Sequence, residues 1–452
     1  MRAPVLLTTT GLRAPGSRDI LALAVPALGG LAAQPLMGLV DTALLGRLGA
    51  AELAALGASN ALLNLLASAL IFLEYGTTAR LARRFGAGNM DLLAREAVQM
   101  AWLALLIGGF VGAVYYVFPD PLLALVRVPE NVMGPARTYL SIRAFGIVPM
   151  LWIFVGNGVF RGLQDTRIPL YIIVGANVLN AAMDVILIFG WGAVGVPPLG
   201  VAGAAWATVA ATWLGALTFL LFGARRLRLH ESGGSGMLRL RLDLLRDLLG
   251  ISRDLLLRTL GLQAALFMGT RMAAVFGAAT LAAHQVGWQL WLFLALLLDS
   301  LAIAGQALVG RALGAGRPDH ARAVGNRLLV WGAGLGSFLT AVFLALRPLL
   351  PRVFTADPEV LAAVDSVFLI LAWMQIPNAV LFVLDGLLIG ASDMAFLRNW
   401  MLILGLFGVF SAWLGAALLG SLAGVWLGVS VFMMARLVAM GARWRGSGWI
   451  RG

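Results

Sequence analysis

Several residue types are scarce or missing in this chain, and each shortage removes a class of function. There is no cysteine among the 452 residues, which excludes disulfide chemistry, thiol nucleophiles and thiolate metal sites. There is no lysine; all 33 basic residues are arginine, which we attribute to genomic base composition. Histidine occurs only at His230, His284 and His320. His284 has no Cys, His or Asp cluster around it in sequence, so no metal centre is expected. No G-x-x-x-x-G-K-[ST] segment is present, so the chain holds no P-loop ATP motor. The clustered His, Asp or Ser of an integral membrane enzyme is also missing. Charge itself is the largest shortage, at 12% of residues against roughly 25% in soluble domains.

Apolar residues fill the space that charge leaves, at 61% of the chain. They fall into twelve runs, at about 20–45, 53–79, 93–118, 134–160, 168–191, 199–223, 248–275, 281–309, 324–347, 360–389, 396–418 and 420–442. Each is long enough for the roughly 20 residues that a helix needs to cross a bilayer. The expected fold is therefore an all-α integral membrane protein with twelve transmembrane helices. The first long run is itself span 1, so no removable signal peptide is expected.

A net charge of +12 could point to nucleic acid, but the placement of the arginines points to a membrane. Arg2, Arg13 and Arg18 precede span 1; Arg83, Arg84 and Arg95 follow span 2; Arg161 and Arg167 follow span 4. Arg225, Arg226, Arg228, Arg239, Arg241, Arg246 and Arg253 crowd the loop after span 6, and Arg311, Arg317, Arg322 and Arg327 follow span 8. Arg398 follows span 10, and Arg443, Arg445 and Arg451 follow span 12. The opposite loops hold only Arg47, Arg127, Arg137, Arg347 and Arg352. The positive-inside rule then places both termini in the cytoplasm, in the plasma membrane of a prokaryote. No nucleic-acid partner is expected.

The chain also repeats itself at an offset of 228 residues. Arg83, Gly86, Ala87 and Gly88 match Arg311, Gly314, Ala315 and Gly316; Gly158, Gly162 and Asp165 match Gly386, Gly390 and Asp393. Upstream, the run from Gly49 to Ala55 matches that from Gly277 to Ala283. One register over three segments implies a duplicated unit, and such duplication in membranes typically builds a transporter. The expected division is an N-terminal six-helix lobe at 1–223, a linker at 224–247 and a C-terminal lobe at 248–452. Glu231-Ser232-Gly233-Gly234-Ser235-Gly236 is the flexible part of that linker. The basic stretch 237–249 after it either lies on the membrane surface or leads straight into span 7.

An ionisable residue inside a span is a functional candidate, and few exist. Asp41 follows an uncharged run from Ile20 to Val40, so it lies roughly 30 Å along its helix, in the outer half. The alternative is a solvated helix-end carboxylate paired with Arg47. Gln34 shares its helical face, and Pro26 and Pro35 are expected to interrupt the helix. Asn177, Asn180 and Asp184 form one polar stripe at i, i+3 and i+7, reading either as helix–helix glue or as a cation or proton site. If Asp41 and Asp184 face each other away from water, the pair holds a proton. The second repeat lacks both acids; Gly269 matches Asp41. It has its own charges in Asp385, which matches Asn157, Asp299 in span 8 and Arg271 inside span 7. These read equally as structural pairs or as transport residues. Glu74 reads as a snorkelling or gate residue, and Trp288 with Trp291 as part of an interfacial belt.

In this order and spacing the motifs resemble the multidrug and toxic compound extrusion (MATE) family, along essentially the whole chain. They are Asp41-Thr42, the two Gly-Ala-Gly loops, Arg161-Gly162-Leu163-Gln164-Asp165-Thr166 with Pro169, and Ala282-Ala283-His284-Gln285. Arg253-Asp254-Leu255-Leu256-Leu257-Arg258, Leu384-Asp385-Gly386 and Arg398-Asn399 look most like the DNA-damage-inducible (DinF) branch. The resemblance implies two six-helix bundles in a V and efflux of bulky hydrophobic or cationic drug-like compounds by a monomer. It implies antiport against protons or sodium, with no other cofactor. Asp41 and Asp184 are the implied coupling acids, with Gln34, Asn177, Asn180 and Tyr139 nearby; sodium would sit at Asp41, Asn180 and Asp184. Met37, Tyr139, Asn157, Asp385 and Arg271 are the candidates for the substrate chamber or a gate. A span 6 hydroxyl that would hold sodium is not evident, with Val201, Ala202 and Ala204 in its stretch and Thr208 nearest, which favours protons. The rival is a lipid-linked saccharide flippase, whose cavity cations could only be Arg143, Arg258 and Arg271.

Overall fold

The computed structural model describes residues 17–126, 128–192, 195–227 and 239–451, with only the backbone of Gln34, Leu39, Ala50, Ile251 and Arg451. Arg2, Arg13, Arg127, Arg228, His230, the linker at 231–236 and the side chain of Gln34 therefore lie outside the described residues.

The first repeat folds as α1 (Ser17–Leu45), α2 (Ala50–Leu70), α3 (Phe72–Gly86), α4 (Met90–Val117), α5 (Pro119–Leu125), α6 (Glu130–Ala144), α7 (Ile147–Gly162), α8 (Arg167–Phe189) and α9 (Gly200–Arg226). The second folds as α10 (Leu242–Val275), α11 (Ala278–Gly314), α12 (Pro318–Ala345), α13 (Pro358–Trp373), α14 (Gln375–Gly390), α15 (Met394–Leu419) and α16 (Leu422–Arg445). Among the described residues nine stretches are long and apolar enough to cross a membrane, α2 with α3 counting as one, and eleven when each bent pair is one span. The twelfth is α10, a 34-residue helix made less apolar by Arg258 and Arg271. The stretch from Leu242 to Leu249 is continuous with it, so the lead-in reading holds there. The protein is an all-α membrane protein of twelve spans in two six-helix bundles.

Several boundaries differ from the sequence reading, and proline explains the clearest. The fourth span is α6 and α7 meeting at 49°, and the tenth is α13 and α14 meeting at 52°. Pro149 and Pro377, at matching positions, lie just beyond the two breaks. A proline cannot donate to the carbonyl four residues back. For Pro149 that carbonyl is Phe145 O, and the Trp213 indole donates to it instead at 3.0 Å. The opposite correction applies to α1. Pro26 and Pro35 both lie inside one continuous helix, so the expected interruption does not occur.

The duplication is visible in the backbone. Gly88 and Gly316 take φ of 70° and 68°, and Gln164 and Ser392 take 64° and 59°; each pair is separated by 228. The halves meet through reciprocal contacts. A Cβ on Gly86 would overlap Arg311 O, and one on Gly314 would overlap Arg83 O. Exchanging the repeats turns one contact into the other, which is the mark of a two-fold relation. Nearby, Gln306 Nε2 donates to Tyr75 O at 2.7 Å and Gln164 Nε2 donates to Ala307 O at 2.9 Å.

Packing gives the V. At the arginine-rich end one core runs through both lobes, joining Leu73, Leu81 and Leu163 to Leu308, Val309 and Leu388. At the other end the core is split in two. One cluster of Leu45, Leu56, Ala136, Tyr139 and Val201 belongs to the first lobe, and one of Ala273, Leu290, Val367, Phe368 and Trp426 belongs to the second.

Candidate functional site

In the first lobe, the separated core of the arginine-poor end adjoins a polar cluster from four helices. Asp41 comes from the last turns of α1 and is 5% exposed; Asn180 and Asp184 come from α8 and are 0% exposed. The two carboxyls lie against each other, and Arg143 of α6 is near enough to act on both. Asp41 is buried while Arg47 is exposed, so the solvated helix-end reading does not hold. In the orientation that satisfies both ends of its amide, Asn180 donates to Asp184 Oδ2 at 3.1 Å and accepts from Thr208 N at 3.2 Å. Thr208 Oγ1 donates to Ala204 O at 2.9 Å, and the buried Tyr139 lies close by.

Asn177, on the same stripe, does something else. Its Nδ2 donates to Ala33 O at 2.8 Å, two residues before Pro35, so it fastens α8 to α1. Met37 lies one turn from Asp41 and is half-buried. Sequence reasoning understated two members. Arg143 was read only as a cavity cation, yet it faces the acids. Thr208, named in the sequence only as the nearest span 6 hydroxyl, meets Asn180 through its backbone N–H, a contact that shows only when residues far apart in sequence are brought together.

The second lobe gathers its charge differently. Asp385 Oδ2 takes Arg258 of α10 and Arg436 of α16, each at 2.7 Å. Arg436 was not singled out in the sequence; its Nη1 also lies 3.2 Å from Met433 Sδ and its guanidinium stands 5.7 Å from the Phe432 ring. Asp299 sits half-buried near Arg258 and Asp385. Asn157, the repeat partner of Asp385, donates to Glu74 Oε2 at 3.3 Å. Glu74 is buried and paired with Arg161, which corrects the snorkelling reading.

Arg271 lies in the last two turns of α10, within the expected span, and its side chain is exposed. Trp288 lies ten residues into α11, roughly 15 Å from its end, and its ring centroid is 5.1 Å from that of Trp291. Trp291 in turn meets Phe382 at 6.2 Å. These rings form an aromatic cluster within the second lobe. The flippase reading loses two of its three cations, since Arg143 faces the acids and Arg258 is bound to Asp385.

The sequence profile of the MatE family matches residues 26–186 and 257–414, one segment in each repeat. The chain belongs to the MatE family. It is 36% identical to "Protein DETOXIFICATION 44, chloroplastic" of Arabidopsis thaliana over 72% of this chain and 60% of that protein. It is 31% identical to "DNA damage-inducible protein F" of Escherichia coli over 84% of this chain and 82% of that protein. The chain thus spans under two thirds of the plant relative. The Vibrio cholerae MATE transporter VcmN in its bent form superposes with a TM-score of 0.86 at 21% identity, over 96% of this chain and 97% of that one. At that identity the likeness shows the fold.

Proposed function

We propose that this MatE protein exports bulky hydrophobic or cationic organic compounds by antiport against protons, as a monomer. Both termini lie in the cytoplasm, so the arginine-rich end faces inward. The burial of the Asp41 and Asp184 carboxyls side by side carries the reading. Two like acids shut away from water favour sharing one proton, and they sit between helices that end at the separated, arginine-poor side of the V. When water reaches the pair, the second carboxyl ionises and the proton leaves; when the lobe closes, the pair is remade around a new one. Asn180, Thr208 and Tyr139 hold the two acids in register. Relatives named for multidrug resistance support the direction of transport: "Multidrug resistance protein PmpM" of Pseudomonas aeruginosa is 28% identical over 70% of this chain. Each elementary charge entering yields roughly 2.3 kcal/mol per 100 mV, and tenfold accumulation needs about 1.4 kcal/mol. One proton per cycle therefore suffices for a neutral substrate.

The test is uptake of a fluorescent organic cation into inverted vesicles under an imposed pH gradient or an imposed sodium gradient. A pH gradient alone should drive uptake, and Asp41→Asn should abolish it. Uptake driven by sodium alone would replace the proton reading with a sodium site at Asp41, Asn180, Asp184 and Thr208.

A further inference from the structure

The carboxyl pair is buried, so a coupling ion from outside needs a way in. At the arginine-poor end of the first lobe there is a wide, open depression of about 420 Å³ lined by Leu48, Glu52, Pro135, Thr138, Val201 and their neighbours. It lies directly over the pair along three of the four helices that build it. Thr138 adjoins Tyr139 on α6. Val201 is seven residues before Thr208 on α9, and Leu48 is seven residues after Asp41 in the turn that follows α1, roughly 10 Å at helical rise. Between depression and acids stand Leu45, Tyr139 and Val201, all at most 8% exposed.

Glu52 is the only ionisable residue in the lining. It is half-buried, and among the described residues it makes no ion pair. The other charges near this end of the adjoining elements are Arg47 after α1, and Glu130, Arg137 and Arg143 on α6; Arg137 is engaged by Asp120, and Arg143 lies by the acid pair. A single carboxylate in such a depression raises the local concentration of cations.

We infer that this depression is the external mouth of the ion route in the first lobe, with Glu52 collecting the coupling cation and the Leu45–Tyr139–Val201 layer as the barrier it crosses to reach Asp41 and Asp184. The inference rests on the coupling role of those acids. It assigns a cation-binding function to Glu52 and separates the ion path from the cleft between the lobes.

The experiment uses the full chain in proteoliposomes, oriented so that the depression faces the bath. Glu52→Gln should raise the bath ion concentration needed for half-maximal efflux of a preloaded fluorescent cation by roughly tenfold, leaving the maximal rate and ion-independent exchange of that cation unchanged. The native chain has no cysteine, so Thr138→Cys places a single thiol in the mouth. A small cationic thiol reagent should label it and stop ion-driven efflux while exchange continues. Adding Glu52→Gln should slow labelling by the cationic reagent but not by a neutral one. Asp41→Asn is run alongside. If Asp41→Asn is inactive in coupling while Glu52→Gln and the labelled Thr138→Cys behave as wild type, the route is overturned and the acid pair stands. If Asp41→Asn still couples, the pair and the route fall together.

Discussion

The same helix face does opposite work in the two lobes. In the first lobe α8 presents Asn177, Asn180 and Asp184; in the second, α15 presents Gly405, Gly408 and Ala412 at the matching positions. Asp41, Tyr139 and Arg143 likewise have Gly269, Val367 and Leu371 as their counterparts. Where the first lobe keeps a pair of carboxyls, the second closes up. A Cβ on Gly405 would lie 2.6 Å from Gly261 O, and one on Gly408 would lie 2.6 Å from Ala265 Cβ. Small residues let α10, α15 and α16 pack backbone against backbone, with no room for an ion or for water. The second lobe's charge sits instead at Asp385, clamped by Arg258 and Arg436. Duplication preserved the scaffold, and the lobes then diverged into one with a buried carboxyl pair and one packed tightly at the matching positions.

The strongest way to break this comparison is to remove a carboxyl from the first lobe. Asp184→Asn should reduce pH-driven uptake in vesicles to the level of empty membranes, with normal expression and a folded detergent-solubilised protein. Pumping by this variant with a wild-type pH profile would end the division of labour. Next in size is Asp385→Asn. Leaving two buried arginines without their carboxylate should cost about 3–5 kcal/mol of stability, read as a large drop in the thermal midpoint, with the number of ions per substrate unchanged. Loss of one ion per cycle instead would give the second lobe a coupling role.

A smaller and more pointed contrast lies on the shared stripe. Gly408→Ala forces a methyl against Ala265 and Phe432 and should destabilise by roughly 1–3 kcal/mol while the driving ion stays the same. Its counterpart Asn180→Ala should show the reverse, impaired coupling with a smaller change in thermal midpoint. The least effect is expected from His320 at the start of α12, which matches Leu92 in the first lobe. Partial burial, then Arg317 and Arg311, push its imidazole below the ordinary histidine range. The folded state therefore favours the neutral ring, and stability contributed by this site falls as pH drops through the range where the unfolded histidine protonates. His320→Gln should flatten that acid limb slightly in thermal melts between pH 7 and 5.

Fold and lobe symmetry were legible because they rest on periodic or repeated signals: apolar runs, arginine placement and the 228-residue offset. Asp41 and Asp184 were legible because a charge in an apolar run has few physical excuses. What the sequence hid was pairing. Nothing local to Arg436, Arg143 or Thr208 tells which acid each will meet, since those partners come from other helices. Asn177 and Asn180 looked alike on the stripe, yet a rotation of less than one turn aims one at the α1 backbone and the other at Asp184. The unbroken α1 shows a similar limit, because proline marks a lost hydrogen bond but not whether the helix bends to answer it.

The reciprocal seat of Gly86 on Arg311 and of Gly314 on Arg83 has a mechanical consequence. It is a fulcrum at one extreme of the molecule, made of bare backbone with nothing to catch. From Gly314 the helix α11 runs 37 residues to its far end, a lever of about 55 Å. A rock of about 10° at the seat, which asks almost no sliding of the atoms there, would sweep the opposite tip through about 10 Å. Motion is thus smallest where the two halves must stay joined and largest where a passage has to open.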